Sequence, residues 1–142
     1  MYSFLERHAG HYMSRDVITV TRDMTLGELG EIFTAHDFNA VPVMEDGRMV
    51  GLVTKFDFLK AFAFTTRQMV PHYEALMQMK VADVMTEAIV DVQPETPLTR
   101  VLQYMVQLRA RSFPVRDKNR LVGMISREDV MRALRDAVAK SG

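Results

Sequence analysis

Met49-Val50-Gly51-Leu52-Val53-Thr54-Lys55-Phe56-Asp57 returns later in the chain as Leu121-Val122-Gly123-Met124-Ile125-Ser126-Arg127-Glu128-Asp129. Each stretch opens with an apolar run whose branched side chains favour a strand. A glycine interrupts each run at the same place. Each then reaches a hydroxyl residue, Thr54 or Ser126, of the kind that caps a helix N-terminus. A carboxylate follows three positions on. The reading is a strand that gives way abruptly to a helix, twice.

The recurrence extends outward from these two stretches. An offset of 72 residues lays 13–62 on 85–134 without a gap, and ten of the 50 pairs are identical. Average residue usage predicts roughly three by chance. Other pairs keep their chemistry, including Ile18/Val90, Thr54/Ser126 and Lys55/Arg127. Two copies are too few for a solenoid. They read as two small α/β units that share one core with pseudo-twofold packing.

Each copy has the same internal order. A β-branched segment, Val17–Val20 or Ile89–Val92, is expected as a first strand. A helix follows, capped by Asp23 or Thr25 in copy one and by Thr96, ahead of Pro97, in copy two. Its apolar residues recur every three or four positions: Leu26, Leu29, Ile32 and Phe33, then Leu98, Val101, Leu102, Met105 and Leu108. Ala40-Val41-Pro42-Val43 and Ser112-Phe113-Pro114-Val115 form short strands, with proline at an edge or start. The turns Glu45-Asp46-Gly47 and Asp117-Lys118-Asn119 have residue types that accept positive φ. The quoted strand and a closing helix complete β-α-β-β-α.

This order, with h-P-V, a turn and h-V-G-h-h-[T/S]-x-x-D in both copies, resembles the CBS domain, and two in tandem resemble a Bateman module. The fold class implied is α/β (α+β), with tandem β-α-β-β-α repeats. The organisation expected is an N-terminal lead at 1–12, repeat one at 13–62, a connector at 63–83, repeat two at 84–135 and a tail at 136–142. The connector follows Phe62, holds Phe64, Met69, Leu76 and Met79, and is expected to be helical on either side of Pro71.

The resemblance implies a regulatory module that binds an adenine nucleotide, AMP, ADP or ATP, in a cleft between the repeats. NAD or S-adenosylmethionine are less favoured ligands. Asp57 and Asp129 match the aspartate that holds ribose hydroxyls, and a carboxylate can accept two hydrogen bonds from a vicinal diol. Thr54 and Ser126 are expected on ribose or phosphate, at a helix N-terminus that favours anions. The same pattern is also an ordinary capping box, [S/T]-x-x-[D/E]. Main-chain groups at Ile18 and Val90, with Ser14 and Thr86 just before them, match the adenine edge. Val41, Pro42, Phe113 and Pro114 match the pocket lining, and would serve equally as core. Arg109 and Arg111 match basic residues that contact phosphate, with Lys55 and Arg127 beside their own caps. Copy one has Asp37 where copy two has Arg109, so two unequal clefts are expected.

Composition narrows the other classes. Lysine plus arginine equals aspartate plus glutamate at 18 each, so no global field draws the chain to nucleic acid or anionic lipid. The stretch from Arg109 to Arg120 is basic, but no helix-turn-helix pattern accompanies it. The chain lacks cysteine, which removes thiol catalysis and thiolate metal sites. No signal peptide or membrane span is read, and the cytoplasm is the expected location. His8 and His11 lack companion ligands, and no activated nucleophile or acid–base pair is visible, so an enzyme is not expected. Gly27 and Gly30 lie inside an apolar-periodic helix and read as positions of close packing. The resemblance further implies a homodimer through terminal helices, with Leu59, Phe62, Met131 and Leu134 as surface candidates, and an effector protein outside this chain. The competing reading is a ligand-free structural or protein-interaction module.

Overall fold

Two tight turns organise the chain, one in each half of the sequence. The computed structural model describes residues 2–63 and 72–141; Phe64, Met69 and Pro71 of the connector lie outside these. β1 (Ala40–Glu45) pairs antiparallel with β2 (Arg48–Thr54), and β3 (Ser112–Asp117) pairs with β4 (Arg120–Ser126). Asp46 and Gly47 have φ of 51° and 78°; Lys118 and Asn119 have 51° and 68°. Consecutive positive φ values define a type I′ turn, whose twist suits the strands it joins. The register shifts after Val43 and after Val115, so each hairpin carries a bulge at the same place.

The chain divides into two compact units, residues 18–89, and residues 1–17 with 90–142. In the first, α3 (Leu26–Ala35) packs its Leu26, Leu29 and Phe33 onto Val41, Val43 and Val53 of the hairpin. Leu26 and Leu29 are fully buried, each stabilising by roughly 1.5–3 kcal/mol relative to exposure. α4 (Lys55–Lys60) continues directly from β2. A second layer comes from α5 (Tyr73–Met77) and a 3-10 turn at Val81–Asp83. The other unit repeats the plan. α6 (Leu98–Leu108) and α7 (Arg127–Ser141) flank the β3–β4 hairpin, with Leu98, Val101, Phe113, Val115 and Ile125 in its core. α1 (Tyr2–Leu5) and α2 (Ala9–Tyr12) add Phe4, Ala9 and Tyr12 to the same core.

Residues 7–14 therefore belong with the hairpin of copy two, and their equivalents 79–86 with the hairpin of copy one. The Arg7 carbonyl accepts from Leu98 N–H at 3.0 Å; the Met79 carbonyl accepts from Leu26 N–H at 2.8 Å. Ser14 forms an antiparallel bridge with Met124, and Thr86 forms one with Leu52. The glycines explain the closeness. A β-carbon on Gly123 would lie 2.6 Å from the Ser14 carbonyl oxygen, and one on Gly51 would lie 2.6 Å from Met85 Sδ. Within α3, the same test puts Gly30 3.0 Å from the Phe58 ring and Gly27 3.4 Å from the Met77 carbonyl oxygen. These glycines admit close neighbours, as their place in an apolar helix suggested.

Two sequence expectations are corrected. The first strand of each copy reduces to one parallel bridge, Val20 to Val43 and Val92 to Val115. Only Val20 and Val92 exchange backbone hydrogen bonds with the hairpin, and their branched neighbours make no ladder. Thr96 does not cap α6. Its hydroxyl accepts from Gln93 N–H at 2.9 Å, and Pro97 occupies the cap without a side-chain bond. In copy one Thr25, not Asp23, caps α3 in a reciprocal box with Glu28. The backbone N–H of Thr25, then its hydroxyl, hold the Glu28 carboxyl below its usual range.

Tyr12 ties the lead to α7. Its hydroxyl donates to Asp136 at 2.8 Å and accepts from Arg7 at 3.1 Å. Burial, then the bond to Asp136, push the phenol above its ordinary value of 10.0.

Gly123→Ala is expected to destabilise by roughly 1–3 kcal/mol in urea unfolding. Gly51→Ala should cost less, because the Met85 side chain can move and the Ser14 carbonyl cannot. Equal costs would mean the bridge at Ser14 does not hold the segment in place. Tyr12→Phe should cost about 1 kcal/mol near neutral pH. The folded phenol titrates later than the unfolded one. Its contribution is full below the unfolded value and lost as pH rises through the folded value. The difference between wild type and Tyr12→Phe should therefore shrink in alkaline solution.

Candidate functional site

Each strand-to-helix junction holds a hydroxyl and a carboxylate in one turn. At the first, Asp57 N–H donates to Thr54 Oγ1 and Thr54 N–H donates to Asp57 Oδ2, both at 3.0 Å. At the second, Asp129 N–H donates to Ser126 Oγ at 3.3 Å, and Asp129 Oδ2 accepts from Ser126 N–H at 2.8 Å and from its hydroxyl at 3.0 Å. Both are reciprocal capping boxes. Asp57 is the only buried charged side chain among the described residues, at 7% exposure.

The second carboxylate oxygen of each residue faces a cation three positions along. Lys60 Nζ lies 3.3 Å from Asp57 Oδ1, and Arg132 Nη1 lies 3.2 Å from Asp129 Oδ1. The lysine is the more exposed of the two, and its ammonium sits 5.3 Å from the Phe56 ring centre. Arg132 is more firmly placed. It donates to the Tyr12 carbonyl at 3.1 Å, and its guanidinium lies 5.4 Å from the Tyr12 ring centre. The sequence reading did not single out Lys60 and Arg132, although they are equivalent across the 72-residue offset. That equivalence, beside a duplicated aspartate, was the available signal.

The remaining candidates separate by unit. Residues 18–89 hold Ile18, Val41, Pro42, Thr54, Lys55, Asp57 and Thr86; the other unit holds Ser14, Val90, Arg109, Arg111, Phe113, Pro114, Ser126, Arg127 and Asp129. Ser14 thus joins the junction of copy two, and Thr86 that of copy one. Ile18 is half-buried and Val90 is exposed, and neither lies in a ladder. Val41 and Phe113 are core side chains, at 0% and 2% exposure, and Pro42 and Pro114 are buried beside them.

The basic residues of copy two converge on one corner. Arg127 Nε donates to the Ala110 carbonyl at 2.9 Å and Nη2 to the Arg109 carbonyl at 3.0 Å. Arg109 ends α6 in the left-handed region, with φ of 55°. Arg127 therefore satisfies carbonyls left open at the helix end. Arg109 and Arg111 are exposed beside it. In copy one Lys55 N–H donates to the Asn39 carbonyl, but Asp37 stands where Arg109 does. The junctions share a carboxylate geometry and differ in charge.

His8 and His11 lie together at the surface, with His8 Nδ1 2.7 Å from the Glu95 carbonyl oxygen. Among the described residues no cluster of three or more histidine, cysteine or acidic side chains could hold a metal ion, and no helix is long and apolar enough to cross a membrane.

The family model for the CBS domain matches residues 9–64 and 81–136. The CBS-domain containing protein ATU1752 from Agrobacterium tumefaciens is 34% identical, with a TM-score of 0.74, over 84% of this chain and 90% of that one. CBSX2 from Arabidopsis thaliana in complex with AMP is 21% identical, with a TM-score of 0.79, over 93% of this chain and 98% of that one. The CBS domain pair of protein MJ0100, in complex with 5′-methylthioadenosine and S-adenosyl-L-methionine, is 23% identical, with a TM-score of 0.76, over 92% and 97%. For the last two, the likeness is one of fold. The chain spans 13% of the length of a related A-adding tRNA nucleotidyltransferase from Geobacter sulfurreducens and 45% of the protein MJ1225 from Methanocaldococcus jannaschii. A glycine-centred hairpin, a capped junction and their second copy at a fixed offset thus coincide with two matched family regions: the chain belongs to the CBS domain family and carries the domain twice.

Proposed function

We propose that this chain is a regulatory module that binds an adenine nucleotide, AMP, ADP or ATP, through its two capped junctions and signals to a partner protein. One observation carries the reading. Asp57 and Asp129 each use one oxygen in the cap and turn the other toward an exposed cation, not toward a second buried donor. A ribose diol can replace that cation and donate to Oδ1 while the cap stays closed. Ile18 and Val90 support the reading, because no backbone hydrogen bond joins either among the described residues. Their main-chain groups are uncommitted to the sheet and suit the polar edge of a base.

The complexes of CBSX2 with AMP and of MJ0100 with adenosyl compounds belong to those proteins. They support an adenosyl ligand here without choosing its 5′ substituent. The charge difference does bear on that choice. Arg109, Arg111 and Arg127 give copy two a phosphate-facing corner that Asp37 denies to copy one. A nucleotide carrying phosphates is assigned to copy two, and copy one is the weaker site for any anion. Binding acts on a partner through unequal affinity for two arrangements of the chain. We also infer that copies of the chain self-associate through exposed apolar helix residues, among them Leu59 and Met131.

A second reading, an interaction module without a ligand, draws on the same turns, since each carboxylate is already satisfied by its cap and its cation. Asp→Asn variants separate the two. Asparagine keeps an acceptor for the cap N–H and removes the charge that holds a diol. Calorimetry with AMP should show heat for wild type. Asp129→Asn should weaken binding roughly 10–100-fold, for a loss of about 1.5–3 kcal/mol in charge-assisted bonds. The urea midpoint should move little. Absence of heat with AMP, ADP and ATP alike would leave the ligand-free module standing.

A further inference from the structure

We propose that His11 makes the attachment of the lead to repeat two sensitive to protons, so that the lead loosens as the solution is acidified below neutrality. The matching attachment in repeat one carries no such group.

The two attachments form a controlled pair. Ala9 and Gly10 N–H donate to the Thr96 and Pro94 carbonyls, both at 2.9 Å. At the 72-residue offset, Val81 and Ala82 N–H donate to the Met24 and Arg22 carbonyls at 2.8 and 3.1 Å. One further bond ties each turn. Lys80 N–H donates to Asp83 Oδ2 at 3.0 Å, and His8 N–H donates to His11 Nδ1 at 3.1 Å. The backbone donor is equivalent in the two copies. The acceptor is a carboxylate in one and an imidazole in the other.

These acceptors answer differently to pH. A carboxylate accepts whenever it is ionised, which covers the neutral range. An imidazole nitrogen accepts only while it carries no proton, and an imidazolium donates at both nitrogens. An imidazole changes charge between about pH 5 and 8. Protonating His11 Nδ1 therefore sets one N–H against another and removes the bond. His8 behaves otherwise. Its Nδ1 lies 2.7 Å from the Glu95 carbonyl oxygen, which can only accept, so that nitrogen bears a hydrogen whether the ring is neutral or charged. Protonating His8 keeps its bond.

The surrounding charges act in the same direction. His8, His11, Arg15 and Glu95 line one cleft of about 310 Å³, and the two imidazole centres are 5.4 Å apart. With neutral rings, Arg15 and Glu95 balance. With both rings charged, three cations face one carboxylate, and like charges repel. Attachment is thus full where His11 is neutral and weakens as pH falls through the imidazole range. Tyr12 follows His11 directly, and its carbonyl and ring hold Arg132 beside Asp129. Proton uptake loosens the segment that positions this guanidinium.

The inference stands apart from nucleotide binding, and its test needs no nucleotide. Amide hydrogen exchange of the full-length chain is followed by NMR at about pH 7.5 and about pH 5.5, on either side of the imidazole transition. Each rate is divided by the intrinsic rate at that pH. Protection at Ala9 and Gly10 should fall several-fold, up to about tenfold, on acidification, as expected for one lost hydrogen bond. Protection at Val81 and Ala82 should hold. His11→Asp, which copies Asp83, should keep Ala9 and Gly10 protected at both pH values. Asp83→His should transfer the response to Val81 and Ala82. A fall that survives in His11→Asp, or that affects both attachments equally in the wild type, would overturn the proposal. Should His11→Asp not fold, Asp83→His decides alone: Val81 and Ala82 gain the response, or the assignment to the imidazole is wrong.

Discussion

The Ser14 backbone passes so near Gly123 that a single methyl group would not fit between them, and the rest of the fold depends on that approach. Ser14 N–H donates to the Met124 carbonyl at 2.8 Å, and Met124 N–H donates to the Ser14 carbonyl at 2.9 Å. The bridge at Thr86 and Leu52 repeats this pair at 2.8 and 2.9 Å. Each extends a two-stranded hairpin by one more stretch of backbone. A hairpin alone is marginal in water. Here it gains that stretch on one edge, Val20 or Val92 on the other, and a helix over its face. The bulges after Val43 and Val115 fall opposite the same two glycines, where the strand must bend to admit its neighbour.

The junction aspartates sit at the end of the strand that carries the glycine. Their geometry is set by local bonds three residues apart, independent of any ligand. That makes the carboxylate preorganised, because the cap holds one oxygen and fixes the direction of the other. The nucleotide proposed to bind there would meet a group that has already lost its rotamer freedom. The cations beside the two carboxylates are held differently. Lys60 is a flexible point charge against an exposed ring. Arg132 is clamped by the Tyr12 carbonyl and ring, and the Tyr12 hydroxyl is itself bonded to Asp136 and Arg7. Displacing Arg132 disturbs contacts of the lead and α7 together; displacing Lys60 disturbs little.

Much of this was legible in residue order. The glycines, the hydroxyl–carboxylate pairs and the turn residues each carry a local geometric demand that survives in the sequence. Asp46, Gly47 and Asn119 occupy the positive-φ positions that their residue types imply, and Lys118 adopts positive φ with them. What the repeat could not reveal is which copy a segment packs against. An offset of 72 maps Ser14 onto Thr86, but equivalence says nothing of neighbours, and each lies on the hairpin of the other copy. The first strands failed for a related reason. Val17–Val20 and Ile89–Val92 have strand-like composition, but only one residue of each finds a ladder partner. At Thr96, the expected cap lost to a local turn with Gln93. Arg127 illustrates the site. Its proximity to the junction was readable, whereas its bonds to the Ala110 and Arg109 carbonyls depend on the left-handed backbone at Arg109.

The interleaving of segments has a consequence for how the molecule comes into being. Residues 18–89 are continuous, so that unit can assemble as soon as it leaves the ribosome. The other unit joins residues 1–17 to residues 90–142: Tyr12 and Asp136 are 124 positions apart. Phe4, Ala9 and Tyr12 are synthesised well before the residues whose core they join. Until α7 has been synthesised, those apolar groups lack their core, and such exposed surface is the kind that chaperones hold. Vectorial synthesis thus leaves residues 4–12 waiting for partners that follow them far along the chain.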